Sequence, residues 1–204
     1  MVNASSSYFR LTLIASAALF LTASAYADVI FTLGNPGHQP GEENVMFHTA
    51  MTGNPIFGST NISHTPVEFS SRTDTLHSSG GQADIDAVDG LVNDIMVTTP
   101  GHTFLDLIIN PFKEVAAGNL HITVVSNTGT ATFDYGKTNG NNFLLINTTG
   151  STLISSVDIA STAGFEDLKQ PRISGIAAVP EPSSMLLLGS GVLLLAQGLR
   201  RKLM

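Results

Sequence analysis

Three aspartates in the stretch ADIDAVDG, Asp84, Asp86 and Asp89, precede Gly90 and have Asp94 nearby. They form the one acid cluster whose spacing suggests ligand chemistry. Carboxylates at alternate positions of a loop can direct oxygens at one hard cation, and calcium favours such ligands. The EF-hand order D-x-D-x-D-G is not met, because the third Asp comes one residue late and no Glu closes the loop. The cluster therefore reads as a solvated acidic loop following Ser78-Ser79-Gly80-Gly81. Calcium binding is the alternative, and no metal or cofactor is assigned.

Other chemistry is sparse. The chain contains no G-x-S-x-G and no H-E-x-x-H, so the hydrolase signatures are missing. Gly136-Lys137-Thr138 has the end of a P-loop, but that motif needs Gly where Ala131 stands, and the stretch reads as a turn. Six histidines (38, 48, 64, 77, 102 and 121) lack metal-ligand spacing. Glu42 and Glu43 are adjacent, and Glu68 is a third acid of interest, yet a glycosidase needs two carboxylates facing each other across a bond. No catalytic residue is assigned, and the protein is expected not to be an enzyme. Tyr135 is the only Tyr after position 27 and Trp is absent, which argues against a strong sugar-stacking platform.

The elements that must position any site read as strands. In LHITVVS, Leu120, Ile122 and Val124 share one face while His121 and Thr123 take the other. In LISSVDIA, Leu153, Val157 and Ile159 are expected inward, with Ile154, Ser156 and Asp158 opposite. Further strands are expected at 29–33, 44–48, 67–71, 104–110, 131–136, 142–148 and 172–177. Between them lie NPGHQPG, TGNP, SSGG, TTPGH, SNTGT, KTNGNN and NTTGS, where Gly and Asn supply positive φ and Pro presets it. No ten-residue window within 28–178 shows a convincing helical period. Short strands with turns at this spacing predict an all-β fold, an antiparallel β-sandwich or jelly roll, over 28–178.

Composition bounds the setting. Only 12% of the 204 residues are charged, and the apolar excess lies at the two ends. Between them stand five bases (Arg72, Lys113, Lys137, Lys169 and Arg172) against all of the 16 acids except Glu181, a formal −10. Such a surface repels phosphate backbones, so no nucleic-acid partner is expected. Cysteine is absent, which removes thiol catalysis, Cys-type zinc sites and disulfide staples.

At the N-terminus, Arg10 precedes LTLIASAALFLTASA, and Ala25-Tyr26-Ala27 stands before Asp28. A basic start, a short apolar core and an A-x-A site describe a secretory signal peptide over 1–27, cut after Ala27 and delivered by the Sec machinery. At the C-terminus, Pro180-Glu181-Pro182 cannot be regular helix, and Ser183 and Ser184 can cap one that follows. From Ser184 to Leu199 the only polar side chains are Ser190 and Gln197. At about 1.5 Å per residue that stretch spans roughly 24 Å, enough for a short transmembrane helix. Arg200, Arg201 and Lys202 then act as a basic stop, held on the cytoplasmic side.

The layout of 179–204, a Val-Pro-Glu-Pro-Ser-Ser start, a Leu/Gly-rich apolar stretch and a terminal Arg-Arg-Lys, resembles a PEP-CTERM sorting signal. The resemblance implies recognition by an exosortase, a membrane-embedded cysteine protease of Gram-negative bacteria that make exopolysaccharide. Cleavage would fall at or near Pro180-Glu181-Pro182. The precursor would sit in the inner membrane, and the released domain at the cell surface or in the extracellular matrix, associated with exopolysaccharide in biofilm or floc. A carbohydrate-binding module, calcium-dependent through Asp84, Asp86 and Asp89, is the other reading. Upstream, Gly164-Phe165-Glu166-Asp167-Leu168-Lys169-Gln170 with Arg172-Ile173-Ser174-Gly175 resembles the last strands of β-sandwich ectodomains that precede such signals. Pro171 departs from that pattern and implies a bulge or an edge there.

Overall fold

Alternating burial runs through a computed structural model that describes residues 28–114, 118–136 and 138–179. The expected signal peptide at 1–27 and the expected apolar helix and basic stop after Pro180 lie outside the described residues. Sixteen strands follow in order: β1 (Val29–Leu33), β2 (Glu43–Phe47), β3 (Met51–Gly53), β4 (Ile56–Thr60), β5 (Pro66–Ser70), β6 (Leu76–Ser78), β7 (Gly81–Gln82) and β8 (Asp84–Ala87). The second half comprises β9 (Val92–Thr98), β10 (His102–Thr103), β11 (Asp106–Glu114), β12 (Asn119–Ser126), β13 (Gly129–Gly136), β14 (Leu144–Thr148), β15 (Ile154–Ser174) and β16 (Ala177–Ala178). Among the described residues there is no helix.

The all-β, antiparallel expectation is met. Fourteen strands are linked in one hydrogen-bonded sheet, and β10 pairs with β16 in a second. The connecting element is β15, 21 residues long. Its first part lies between β12 and β9, and its second between β11 on one side and β8 and β2 on the other. From β9 the path continues through β5 and β4 to β2, which returns to β15 at Arg172 and Ile173.

So long a strand can serve both parts only by breaking its own register. Between Val125/Ser156 and Ser126/Ile154 the pairing slips at Ser155. Against β9 it jumps from Ala160/Asp94 to Phe165/Val92, and Gly164 within the jump takes φ +68°. Against β11 it passes from Ile108/Arg172 to Asn110/Lys169, with Gln170 at φ +52°. The bulge implied by Pro171 is therefore present. The strand is bonded on both flanks here, the Gln170 N–H turns to the Ala83 carbonyl at 2.9 Å, and Pro171 is buried, so this is not an edge.

Three sequence readings need correction. The stretches at 153–160 and 172–177 are not separate strands, since β15 runs through most of both. The Ser155 bulge also shifts the phase: Ile154 joins Val157 and Ile159 in the core, while Leu153 is half-buried. ADIDAVDG is not a loop either, because β8 takes up Asp84–Ala87 and buries Ile85 and Ala87.

One core fills the interior. Phe47, Phe69 and Ile56 meet Ile95 and Val97 of β9, Ile122 and Val124 of β12, and Val157, Ile159, Phe165 and Ile173 of β15. With no disulfide, this burial carries the stability, at about 25 cal/mol per Å² of apolar surface removed from water.

Candidate functional site

The register that buries Ile122, Ile159 and Ile95 turns their neighbours outward on the opposite face of β13, β12, β15, β9 and β5. One cross-strand row there reads Thr132, Thr123, Asp158, Met96, Ser70. The next reads Thr130, Val125, Ser156, Thr98, Glu68, and continues to Phe57 of β4. On the other side lie Asp134, His121, Ala160 and Asp94. Small hydroxyls dominate, and three large apolar side chains, Met96, Val125 and Phe57, stand exposed among them.

A cavity of about 280 Å³ opens on this face. Its hydroxyls come from Ser70, Ser71, Thr123 and Ser156, and its apolar wall from Met96 and Val125. Its centre is an ion triad. Arg72 Nη2 donates to Asp158 Oδ2 at 2.6 Å and also to Asp94 Oδ2. Arg72 Nε donates to the same Asp94 oxygen at 3.1 Å, and its backbone N–H to Asp94 Oδ1 at 2.8 Å. The guanidinium side chain is 70% exposed and lies over Asp94, which is 7% exposed.

Arg72 is placed by the turn leaving β5. Ser71 N–H donates to Asn54 Oδ1 at 3.0 Å, and Asp74 collects the Asn93 N–H at 2.9 Å and the Thr73 hydroxyl at 2.8 Å. Burial pushes the Asp74 carboxyl up, but these donors outweigh it and hold it below the usual carboxylate value. Asp94 behaves alike: burial raises it, and the hydrogen bonds and charge of Arg72 bring it below its ordinary value. Asp158 goes the other way. Burial, then the neighbouring Asp94 charge, raise it against the pull of Arg72. Its Oδ1 is buried without a partner.

These opposite directions fix a pH dependence. Carboxyls depressed in the fold contribute stability above their unfolded pKa, near 4, that is lost as pH falls through their folded values. Asp158 is raised, so its contribution is full below that unfolded pKa and fades as pH climbs through its folded value. Thermal melts from pH 3 to 8 are expected to peak in mild acid. Asp158→Asn should flatten the limb above the peak, whereas Asp94→Asn should lower stability at pH 7 by about 1.5–3 kcal/mol, the worth of a hydrogen bond to a charged group. Equal losses from both substitutions at pH 7 would contradict the assignment.

Residues singled out in the sequence are mostly dispersed. Asp84 lies 3.6 Å from Lys169 Nζ, and Asp86 lies 2.8 Å from His77 Nδ1. Asp89 falls in the turn after β8 and accepts the Leu91 N–H at 3.4 Å. The three do not converge, and among the described residues no group of three or more His, Cys, Asp or Glu could hold a metal ion. Glu42 and Glu43 part company: Glu42 is buried on Arg172 at 2.7 Å, and Glu43 accepts the Ser63 N–H at 2.8 Å. Glu68 stands on the sheet face. His38, His77 and His121 each sit against one carboxylate, far from one another in sequence. Tyr135 is buried and donates to the Asn142 carbonyl at 3.2 Å. Asp28 opens the described residues, whereas Ala25, Ala27, Pro180, Glu181, Pro182, Arg200, Arg201 and Lys202 lie outside them.

The triad itself escaped the sequence reading, because Arg72 and Asp158 are 86 residues apart. A signal was available. Asp94 in VNDIMVT and Asp158 in SSVDIA are lone acids inside apolar strands, and a half-buried acid there needs a cation.

Beyond the sheet face, β16 pairs with β10, and the Val179 N–H donates to the Gly101 carbonyl at 2.9 Å, one residue before Pro180. Comparison with curated proteins and with solved structures gives no match. Residues 178–202 match the model of the PEP-CTERM protein-sorting motif, and that motif implies an exported protein, made as a membrane-anchored precursor in a Gram-negative bacterium and processed by an exosortase.

Proposed function

We propose that the protein is a non-catalytic component of the cell surface or extracellular matrix that associates with exopolysaccharide and supports biofilm or floc formation. The observation that carries this reading is the sorting motif joined directly to an acidic, cysteine-free β domain. In this reading the Sec machinery exports the chain, the signal peptide is removed after Ala27, and the apolar stretch holds the precursor in the inner membrane. Exosortase then cuts at or near Pro180-Glu181-Pro182 and delivers a sandwich or jelly-roll ectodomain to the outside.

A non-catalytic role is supported by the triad. Glycosidase carboxylates flank an open gap that receives the scissile bond. Here the guanidinium of Arg72 stands between Asp94 and Asp158 and occupies that gap. The second reading, a carbohydrate-binding module, is favoured by the hydroxyl-lined cavity on the sheet face. Calcium dependence through Asp84, Asp86 and Asp89 is disfavoured, since Lys169 and His77 already engage two of the three.

The expected mature polypeptide begins at Asp28 and lacks Leu186–Met204, which intact-mass analysis of the exported protein measures. A mature species that retains the apolar stretch in exosortase-competent cells refutes the processing claim. Deletion of the gene should thin the extracellular polysaccharide and reduce aggregation. If matrix and aggregation are unchanged while an unrelated periplasmic step fails, the matrix reading is wrong.

A further inference from the structure

We propose that the sheet face centred on Arg72, Asp94 and Asp158 binds a neutral polysaccharide laid across the strands; this rests on the polysaccharide reading above and gives it a site and a substrate class. The first argument is metric. Adjacent strands lie about 4.8 Å apart, close to the length of one hexose residue. The row Thr132, Thr123, Asp158, Met96, Ser70 offers one side chain per strand across five strands. A linear glycan crossing the strands therefore meets a fresh side chain at each sugar.

The second argument is chemical. Sugar hydroxyls both donate and accept, so they are satisfied by carboxylates, small hydroxyls and a guanidinium presented together. Ser70, Ser71, Thr123 and Ser156 line the cavity around the two carboxylates. Arg72 is largely exposed, and its hydrogen bonds to Asp94 and Asp158 use Nε and Nη2, so those bonds do not engage the other terminal nitrogen. Exposed Met96 and Val125 offer apolar contact to the C–H faces of the rings, and Phe57 extends that contact at the margin of the sheet. Asp94 is held in advance by the Arg72 side chain and backbone, so little side-chain freedom is lost on binding.

The third argument selects among glycans. Two carboxylates against one guanidinium leave the cavity with a formal −1, and Glu68 and Asp134 add negative charge in the flanking rows. Chains of uronates or sulfated sugars are repelled, and neutral chains are not.

The test is native affinity electrophoresis of the full chain kept in detergent. The gels carry crude host exopolysaccharide, a neutral panel (dextran, mixed-linkage β-glucan, galactomannan) or alginate. Expected are retardation by the crude material and by a neutral member, none by alginate, and at least tenfold weaker retardation for Thr123→Lys and Ser156→Arg. Those variants should melt like the parent, and Thr52→Lys on β3, away from this face, should bind like it. Retardation in crude polysaccharide that Thr123→Lys and Ser156→Arg leave intact overturns the site while the matrix reading stands. Retardation by alginate alone overturns the ligand class. No retardation by crude polysaccharide overturns the matrix reading itself.

Discussion

Arg172→Met is expected to destabilise the fold by about 3–5 kcal/mol, the usual consequence of removing one partner from a buried ion pair. The Glu42 side chain is 2% exposed and that of Arg172 15%, with Nη1 and Oε1 at 2.7 Å. Arg172 also donates from Nη2 to Asn35 Oδ1 at 3.0 Å, so the same side chain fixes the loop between β1 and β2. Without it, Glu42 is a carboxylate in the interior whose remaining side-chain neighbour is the exposed His38, with Nδ1 at 3.2 Å. The pair need not be worth that much in net terms. Arg172 Nε is buried without a partner, and a well-packed apolar pair avoids that loss. The double variant Arg172→Met with Glu42→Leu should therefore recover most of the stability. Urea unfolding of the single and double variants decides it. A single-variant loss below about 1 kcal/mol, or a double variant no better than the single, contradicts this account.

Phe165→Ala should cost a similar amount, about 3–5 kcal/mol for a large aromatic removed from a core that cannot collapse around the gap. Phe165 is fully buried and stands where β15 passes from its β9 partner to its β11 partner, opposite Val92 and Glu114. Its neighbours are held by ladders on both sides, which leaves little freedom to fill the space. Phe165→Leu, which keeps much of the volume, should lose less than half as much. Chemical denaturation with a common m-value measures both. Equal losses for the two substitutions would place the effect in the backbone of the Gly164 bend rather than in packing.

The fold was legible where a strand alternates without interruption. LHITVVS declares its inward Leu120, Ile122 and Val124, and ATFDYG and VIFTL fall within two residues of β13 and β1. It was illegible where a register slip separates two halves of one strand. Period-two reasoning assigns Leu153 and Ile154 by parity, and the extra residue Ser155 reverses that parity. VNDIMVT is absent from the expected strands; it carries Asp94 in the middle of an apolar strand, and Arg72 above it makes that position tolerable. The same long-range dependence hid the candidate site. Its acids announce themselves as anomalies in apolar strands, but their cation comes from a turn that no spacing rule connects to them. The C-terminal motif was legible because its whole signal is contiguous in sequence.

A consequence of β15 concerns the proteases that an exported protein meets. A chain without disulfides cannot rely on covalent loops to keep a nicked molecule together. Enzymes that cut folded proteins need a segment to open locally, and local opening is easiest where an element can leave without disturbing the rest. β15 runs through both parts of the pairing and is flanked on each side for most of its length. Releasing residues 156–160 or 167–173 unpairs strands on both flanks, so opening those parts of the strand approaches the cost of unfolding the whole molecule. The thinly held margins, such as the two-residue pairing of β16 with β10 beside the sorting motif, are left as the places where cutting is easy.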